Sequence, residues 1–245
     1  MREWIYGRNP VYELLRADRR QMFRLLVADG IQRKGRIASI FDICSEKEIP
    51  IEPVPRKLLD RIQISNQGVL LEASAYPYAT LLDMLGLAEG LSEAPMLLIL
   101  DTLQDPQNLG TLLRTAESVG VHGILLPLRR TATVTPAVVN ASSGASEHLL
   151  ITQINLAQAI RALKEQDIWI IGFESGPGAQ LVDKTALRGP LALVIGAEAE
   201  GIRHLVRKSC DQLMQLPMRG RIESLNAAVA GSIALYLAWE ARGFS

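Results

Sequence analysis

Three loops gather the side chains in this sequence that could do chemistry, and each follows a run of apolar residues. The first, DTLQDPQNLGTLLRTAESVG (101–120), holds Asn108 and Arg114. The second, LVIGAEAEGI (193–202), runs through Gly196 to two carboxylates, Glu198 and Glu200. The third, LPMRGRIESLNAAVAGSIALYLAWEAR (216–242), places Ser224 and Asn226 just before a run of small residues. A guanidinium can hold a phosphate through a bidentate fork, carboxamides can orient a ligand, and carboxylates can move protons. A nucleophilic serine is disfavoured, because no histidine lies in the three loops to activate it. Neither a G-x-G-x-x-G fingerprint nor a GK[ST] phosphate loop is present, which removes the dehydrogenase and P-loop readings. Glu198 and Glu200 alternate, so in an extended loop they point apart, and nothing else resembles a glycosidase.

Each residue also has a plainer role open to it. Asp105-Pro106 is a turn signal, and both Asp105 and Asn108 suit the cap of a helix. Ser224 suits the cap of the last helix. Arg114 lies six residues beyond Asn108, at roughly 240° around a helix, so the two need not share a face. Spacing alone leaves Arg114 open to snorkelling or to holding a phosphate. Gly196 permits close approach of backbone to a ligand.

The elements that must position these loops alternate in type. MLLIL (96–100), GILLP, IWIIGF and LALVIG are continuous apolar runs of strand length, and MQLPM is a shorter one. Helical spacing runs over 108–119, 154–164 and 224–242. Such alternation predicts a parallel sheet covered on both faces, with ligands beyond the carboxyl ends of its strands. Residues 1–76 read as a smaller α/β domain: a helix from Asn9-Pro10, a strand in MFRLLVA, a helix over 36–48, a short extended IPIEPV and a strand in GVLLEAS. Residues 77–93 are acidic and read as a linker with one helical turn sequence, leaving 94–245 as the larger domain.

Composition bounds the rest. Hydrophobic residues make up 48% and charged residues 21% of the 245, an ordinary globular balance. No apolar run approaches membrane-spanning length, and the N-terminus lacks the apolar core of an export signal. Two cysteines and three histidines, without ligand spacing, argue against a zinc site and for a reduced, cytoplasmic protein. Net charge is zero, but residues 1–76 carry 13 Lys and Arg against 10 Asp and Glu. That small basic excess favours solvated helix faces over a nucleic-acid footprint when charge is taken alone.

Taken in order and at these separations, D-P-Q-N-L-G-T-L-L-R-T-A (105–116), I-G-A-E-A-E-G-I (195–202) and L-P-M-R-G-R-I-E-S-L-N-A-A-V-A (216–230) resemble the three motifs of the SpoU (TrmH) family. These are SPOUT-class, S-adenosylmethionine-dependent RNA ribose 2′-O-methyltransferases. The resemblance covers 94–245; Y-G-R-N-P-V-Y-E-L-L (6–15) is similar to the opening of the family's L30e-like substrate-binding domain. It implies a trefoil knot in the C-terminal domain, a homodimer through that domain, and cofactor held near Gly196, Leu216, Leu225 and Asn226. It further implies that Asn108, Arg114, Glu198, Ser224 and Asn226 line the reacting centre, with no metal required. The two-domain arrangement is most similar to enzymes that methylate a guanosine of 23S ribosomal RNA. A tRNA 2′-O-methyltransferase and a non-catalytic RNA-binding module are the alternatives. On the same resemblance, Arg19, Arg20 and Arg24 are expected to touch RNA phosphates.

Overall fold

The computed structural model describes every residue except Met1, Pro177, Glu198, Ala199, Glu223 and Ser245. By backbone contacts the chain falls into two units. The first takes Met1–Pro77 together with Thr133–His148, and the second takes Tyr78–Ala132 and Leu149–Ser245.

In the first unit, β1 (Arg2–Tyr6), β2 (Met22–Ala28), β3 (Ile51–Val54) and β4 (Val69–Ser74) form a sheet in the order β1-β4-β2-β3. β4 is antiparallel to both neighbours, while β2 and β3 are parallel. The helices α1 (Arg8–Ala17), α2 (Arg36–Glu46) and α3 (Arg56–Ile62) cover it. Val11, Leu14 and Leu15 of α1 and Ile37, Ile40, Phe41 and Cys44 of α2 are buried, the stripes that helical spacing predicts.

Thr133–His148 joins this unit from far along the chain, through α6 (Pro136–Ala141) and a 3₁₀ turn at Ala145–His148. Gly144 lets that turn lie against α1: its φ is +91°, and an added Cβ would stand 2.7 Å from the Glu13 Cβ. The joint is an ion pair out of water. Arg20, only 4% exposed, donates to both carboxylate oxygens of Glu147 at 2.7 and 2.9 Å, and to Glu3 at 2.9 Å. Arg19 donates to the carbonyls of Glu147 and Pro77 and to the Tyr76 hydroxyl. Arg24 is clamped between Glu72 and Glu52, at 2.8 and 3.2 Å. The expectation that Arg20 meets an RNA phosphate is therefore corrected, since its side chain is out of water and bonded to two carboxylates, whereas Arg19 and Arg24 make their bonds within the unit while staying partly exposed.

The second unit holds a seven-stranded sheet of β5 (Met96–Leu100), β6 (Gly123–Pro127), β7 (Ile151–Ile154), β8 (Trp169–Phe173), β9 (Gln180–Leu181), β10 (Leu191–Ile195) and β11 (Gln212–Gln215). Its order is β7-β6-β5-β10-β8-β11-β9, and every pairing is parallel. The predicted doubly covered parallel sheet is what folds. Ala192 and Val194 of β10 point into one core with Met84 of α4 (Leu81–Leu91), Ile160 of α7 (Leu156–Lys164) and Val206 of α8 (His204–Ser209). The opposite parity, including Ile195, faces α5 (Pro106–Ser118) and α9 (Ala227–Ala241), in line with the alternation of strand side chains. Gly231 makes the α9 contact close, since a Cβ there would sit 2.6 Å from Leu112 of α5 and 3.2 Å from Ile195. α4, within the stretch read as a linker, is a full helix. It starts with a reciprocal cap between Thr80 and Asp83. Those cap bonds hold the Asp83 carboxyl below its usual range. Among the described residues no helix is long and apolar enough to cross a membrane.

Candidate active site

The three chemistry-bearing loops all lie at the carboxyl ends of central strands: β5, β10 and β11. The first loop owes its shape to Asp105, not Asn108. The Asp105 side chain accepts the Gln107 N–H at 3.0 Å, and Pro106 occupies the first helical position of α5. Asn108 is thus lifted one turn into the helix, where its amide is half-buried. The last helix is capped by Asn226 and not by Ser224. The Asn226 carboxamide oxygen accepts from Ala228 and Val229, at 2.9 and 3.2 Å. With its oxygen fixed in this way, Asn226 can turn only its amide nitrogen outward, and that nitrogen donates to Asn108 Oδ1 at 3.1 Å. Two residues 118 positions apart therefore form one oriented pair.

Beside this pair lies a cleft of about 380 Å³, lined by the carboxyl ends of β8, β10 and β11 and by the start of α9. Gly196, Leu216, Ser224 and Leu225, four of the residues singled out in the sequence, are on its wall. Gly196 is required there: a methyl group would collide with the Gly201 carbonyl and the Ile202 nitrogen. The turn closes through a bridge in which Ala197 and Gly201 exchange hydrogen bonds at 3.1 and 2.9 Å. Glu200 also lines the cleft, whereas Glu198 lies outside the described residues. Arg114 is on the exposed side of α5 and is not part of the cleft wall.

Two carboxylates in this region were given no role by the sequence. Asp101, fully buried at the end of β5, accepts the Arg203 backbone N–H at 2.8 Å and its guanidinium at 2.6 and 2.7 Å. It therefore clamps the loop after β5 to the loop after β10, and its signal was its place as the first residue of the first loop. Glu174 follows β8 directly, lines the cleft and accepts from Arg207 at 2.8 Å. Position just past a buried strand is the signal that could have found it. Burial pushes the Cys210 thiol up to about 12 and the Cys44 thiol up to about 11, so neither offers a thiolate near neutral pH. Among the described residues no three His, Cys, Asp or Glu side chains converge as metal ligands.

This arrangement can bind a small molecule against bare backbone and present it to a polar pair at the cleft mouth. Comparison with known proteins gives the same picture. The profile of the SpoU rRNA Methylase family matches residues 95–236, and that of RNA 2′-O ribose methyltransferase substrate binding matches residues 4–79. The chain is 39% identical over 242 residues to YacO of Bacillus subtilis, named a TrmH family tRNA/rRNA methyltransferase, covering 98% of this chain and 96% of that one. It is 35% identical over 237 residues to the 23S rRNA (guanosine-2′-O-)-methyltransferase RlmB of Xylella fastidiosa, covering 96% and 94%. Among solved structures, the SpoU methyltransferase AviRb of Streptomyces viridochromogenes, in complex with AdoMet, superposes with a TM-score of 0.81 at 20% identity. That match covers 100% of this chain and 92% of AviRb, and at such identity it speaks for the fold.

Proposed function

Because the chain belongs to the SpoU family of RNA methylases, we propose that it transfers a methyl group from S-adenosylmethionine to a ribose 2′-OH, on a guanosine of 23S ribosomal RNA. The observation that carries this reading is the meeting of the three loops: Asn108 bonded to Asn226, beside a cleft walled by Gly196, Leu216 and Leu225.

The cleft suits S-adenosylmethionine. Its volume, about 380 Å³, lies in the range of small-molecule sites. Leu216, Met218 and Leu225 offer apolar surface for a flat base, while Glu174, Ser175 and Glu200 offer polar groups for a sugar and an amino acid. The Gly201–Ile202 backbone lies against Gly196 where a Cβ would stand, which fixes the loop that walls the cleft. When bound, the cofactor supplies a methyl on a sulfonium, a strong electrophile. The protein's task is then to orient the 2′-OH in line with that methyl and to ease loss of its proton. The Asn108–Asn226 pair is preoriented by the α9 cap and serves to position the nucleotide. Arg114 stays cationic, as guanidinium does, and acts by holding a phosphate and lowering the 2′-OH pKa electrostatically. Glu198 orients Arg114 or the nucleotide, and Ser224 completes the rim.

Preference for ribosomal RNA is supported by the similarity to RlmB along nearly the whole of both chains. A homodimer through the second unit is supported by an apolar groove formed by α9 and the residues just after it, where Ile233, Tyr236 and Phe244 are exposed. The trefoil knot implied by the motifs and a cytoplasmic location complete the proposal. The test is transfer of labelled methyl from S-adenosylmethionine to RNA from cells lacking the gene, fractionated by size. Label in 23S RNA is the expected result. Label in tRNA alone would redirect the substrate, and bound cofactor without any transfer would favour a non-catalytic RNA-binding module.

A further inference from the structure

A second cavity of the catalytic unit, about 590 Å³, opens at the carboxyl ends of β6 and β7. Its wall carries Arg129, Arg130, Arg203 and His204, and no carboxylate among the described residues. That is an uneven distribution in a chain whose 26 Lys and Arg are balanced by 26 Asp and Glu. Arg203 is held in place by the buried Asp101, and its charge is offset there. Arg129 and Arg130 are exposed and make no ion pair or hydrogen bond among the described residues. Arg130 is moreover held at φ +59°, a left-handed conformation that a long side chain rarely adopts. The first turn of α7, at Asn155–Ala157, also opens on this cavity and adds the positive end of a helix dipole. Leu128 and Leu205 are 63% and 69% exposed on the same wall, apolar surface that a base or sugar could cover.

The cavity adjoins the cofactor cleft through one stretch of chain. Glu200 and Gly201 line the cleft, and Arg203–Val206 line the basic cavity. A polyanion whose reacting sugar sits at the cleft would have neighbouring phosphates within a few nucleotides of these arginines. We infer that this cavity is an RNA backbone site, in which Arg129 and Arg130 hold a phosphodiester of the substrate strand away from the methyl-transfer centre. The inference rests on the proposed RNA methyltransferase activity. It also answers a question the charge balance raises: a neutral protein must bind RNA through local rather than overall charge. In the first unit most arginines are already engaged. In this cavity two are not.

The test is RNA binding by the full chain across a salt series, using deproteinised ribosomal RNA and, separately, bulk tRNA. The double variant Arg129→Gln/Arg130→Gln removes two cations. Affinity for ribosomal RNA near physiological salt should fall roughly tenfold, and the slope of log K against log salt should shrink by about 1.4 to 1.8. S-adenosylmethionine affinity should not change, which certifies the fold. Arg129→Lys/Arg130→Lys should keep the slope, and Lys164→Gln, which removes a surface cation already paired with Asp211, should leave it unaltered. Unchanged affinity and slope in the Gln variant would overturn the inference while leaving methyl transfer standing. Equal losses in the Lys and Gln variants would overturn it too, since charge would then not be what matters. If the wild-type chain binds RNA but transfers no methyl, the premise fails and the inference with it.

Discussion

The two units spend their arginines differently. In the first, Arg2, Arg20 and Arg24 are paired with Glu72, Glu147, Glu3 and Glu52, and Arg36 and Arg33 stack on Tyr12 and Phe41. In the second, Arg203 and Arg207 are paired too, with Asp101 and Glu174, but Arg129 and Arg130 are left open around a cavity with no carboxylate among its described wall residues. The first unit uses cations to hold its surfaces and its inserted segment together. The second keeps its core apolar and reserves polar groups for the strand ends. The comparison teaches that a basic excess in sequence marks where arginines are, not whether their charge remains available to a ligand.

The comparison can be broken at either unit. The largest effect should come from Gly196→Ala, because the methyl has only backbone to displace. Calorimetry should show S-adenosylmethionine binding abolished, with a stability cost of about 1–3 kcal/mol, while hydrogen exchange in 2–77 and 133–148 stays as in the wild type. Retained cofactor affinity would contradict the assigned cleft. Arg20→Met should do the reverse. It leaves Glu147 buried and uncompensated, and should cost about 3–5 kcal/mol in denaturant unfolding of the first unit, with cofactor affinity kept. A neutral result would mean that the Arg20 charge is solvated after all and free to meet RNA.

Arg114→Lys keeps the charge and loses the bidentate fork; methyl transfer should drop on the order of a hundredfold. Near-full activity with unchanged RNA affinity would end the role proposed for it. The smallest effect concerns His122, whose Nδ1 accepts the Met96 N–H at 3.0 Å and whose Nε2 meets Glu93 at 3.1 Å. Burial lowers its pKa from 6.5, against the pull of Glu93, so the folded chain keeps it neutral. The unfolded chain takes up that proton near 6.5, so this contribution is full above 6.5 and is lost as pH falls below it. The melting temperature should decline over that window in the wild type and less in His122→Asn. Equal decline in both would place the pH sensitivity elsewhere.

How much of this was legible depended on range. Parallel strands buried on both faces read as continuous apolar runs, which is why MLLIL, GILLP and LALVIG stood out. β1 did not: REWIY buries only Ile5 fully and carries two charges, as an edge strand can. α4 was read as part of a linker, since it buries just Met84 and Ala88 and so shows no apolar stripe. The docking of 133–148 onto the first unit rests on partners as far apart as Arg20 and Glu147, 127 positions, and no local pattern encodes such a pairing. At the site, motif resemblance named Asn108, Gly196, Ser224 and Asn226, which the fold brings to one end of the sheet. Residue type had already marked Asp105 as a cap, and it takes the α5 cap, but nothing in the sequence said that Asn226 would take the α9 cap and so be turned toward Asn108. Asp101 and Glu174 were passed over because their roles lie in tying loops together, which is a property of the fold and not of spacing.

The account turns on where the methyl goes. The decisive measurement is mass spectrometry of nucleosides from 23S RNA of cells lacking the gene, before and after treatment with the purified protein and S-adenosylmethionine. The account predicts a single new 2′-O-methylguanosine, absent when Asn226→Ala replaces the wild type. A methyl group on a base, or an unmodified ribose despite bound cofactor, would contradict it.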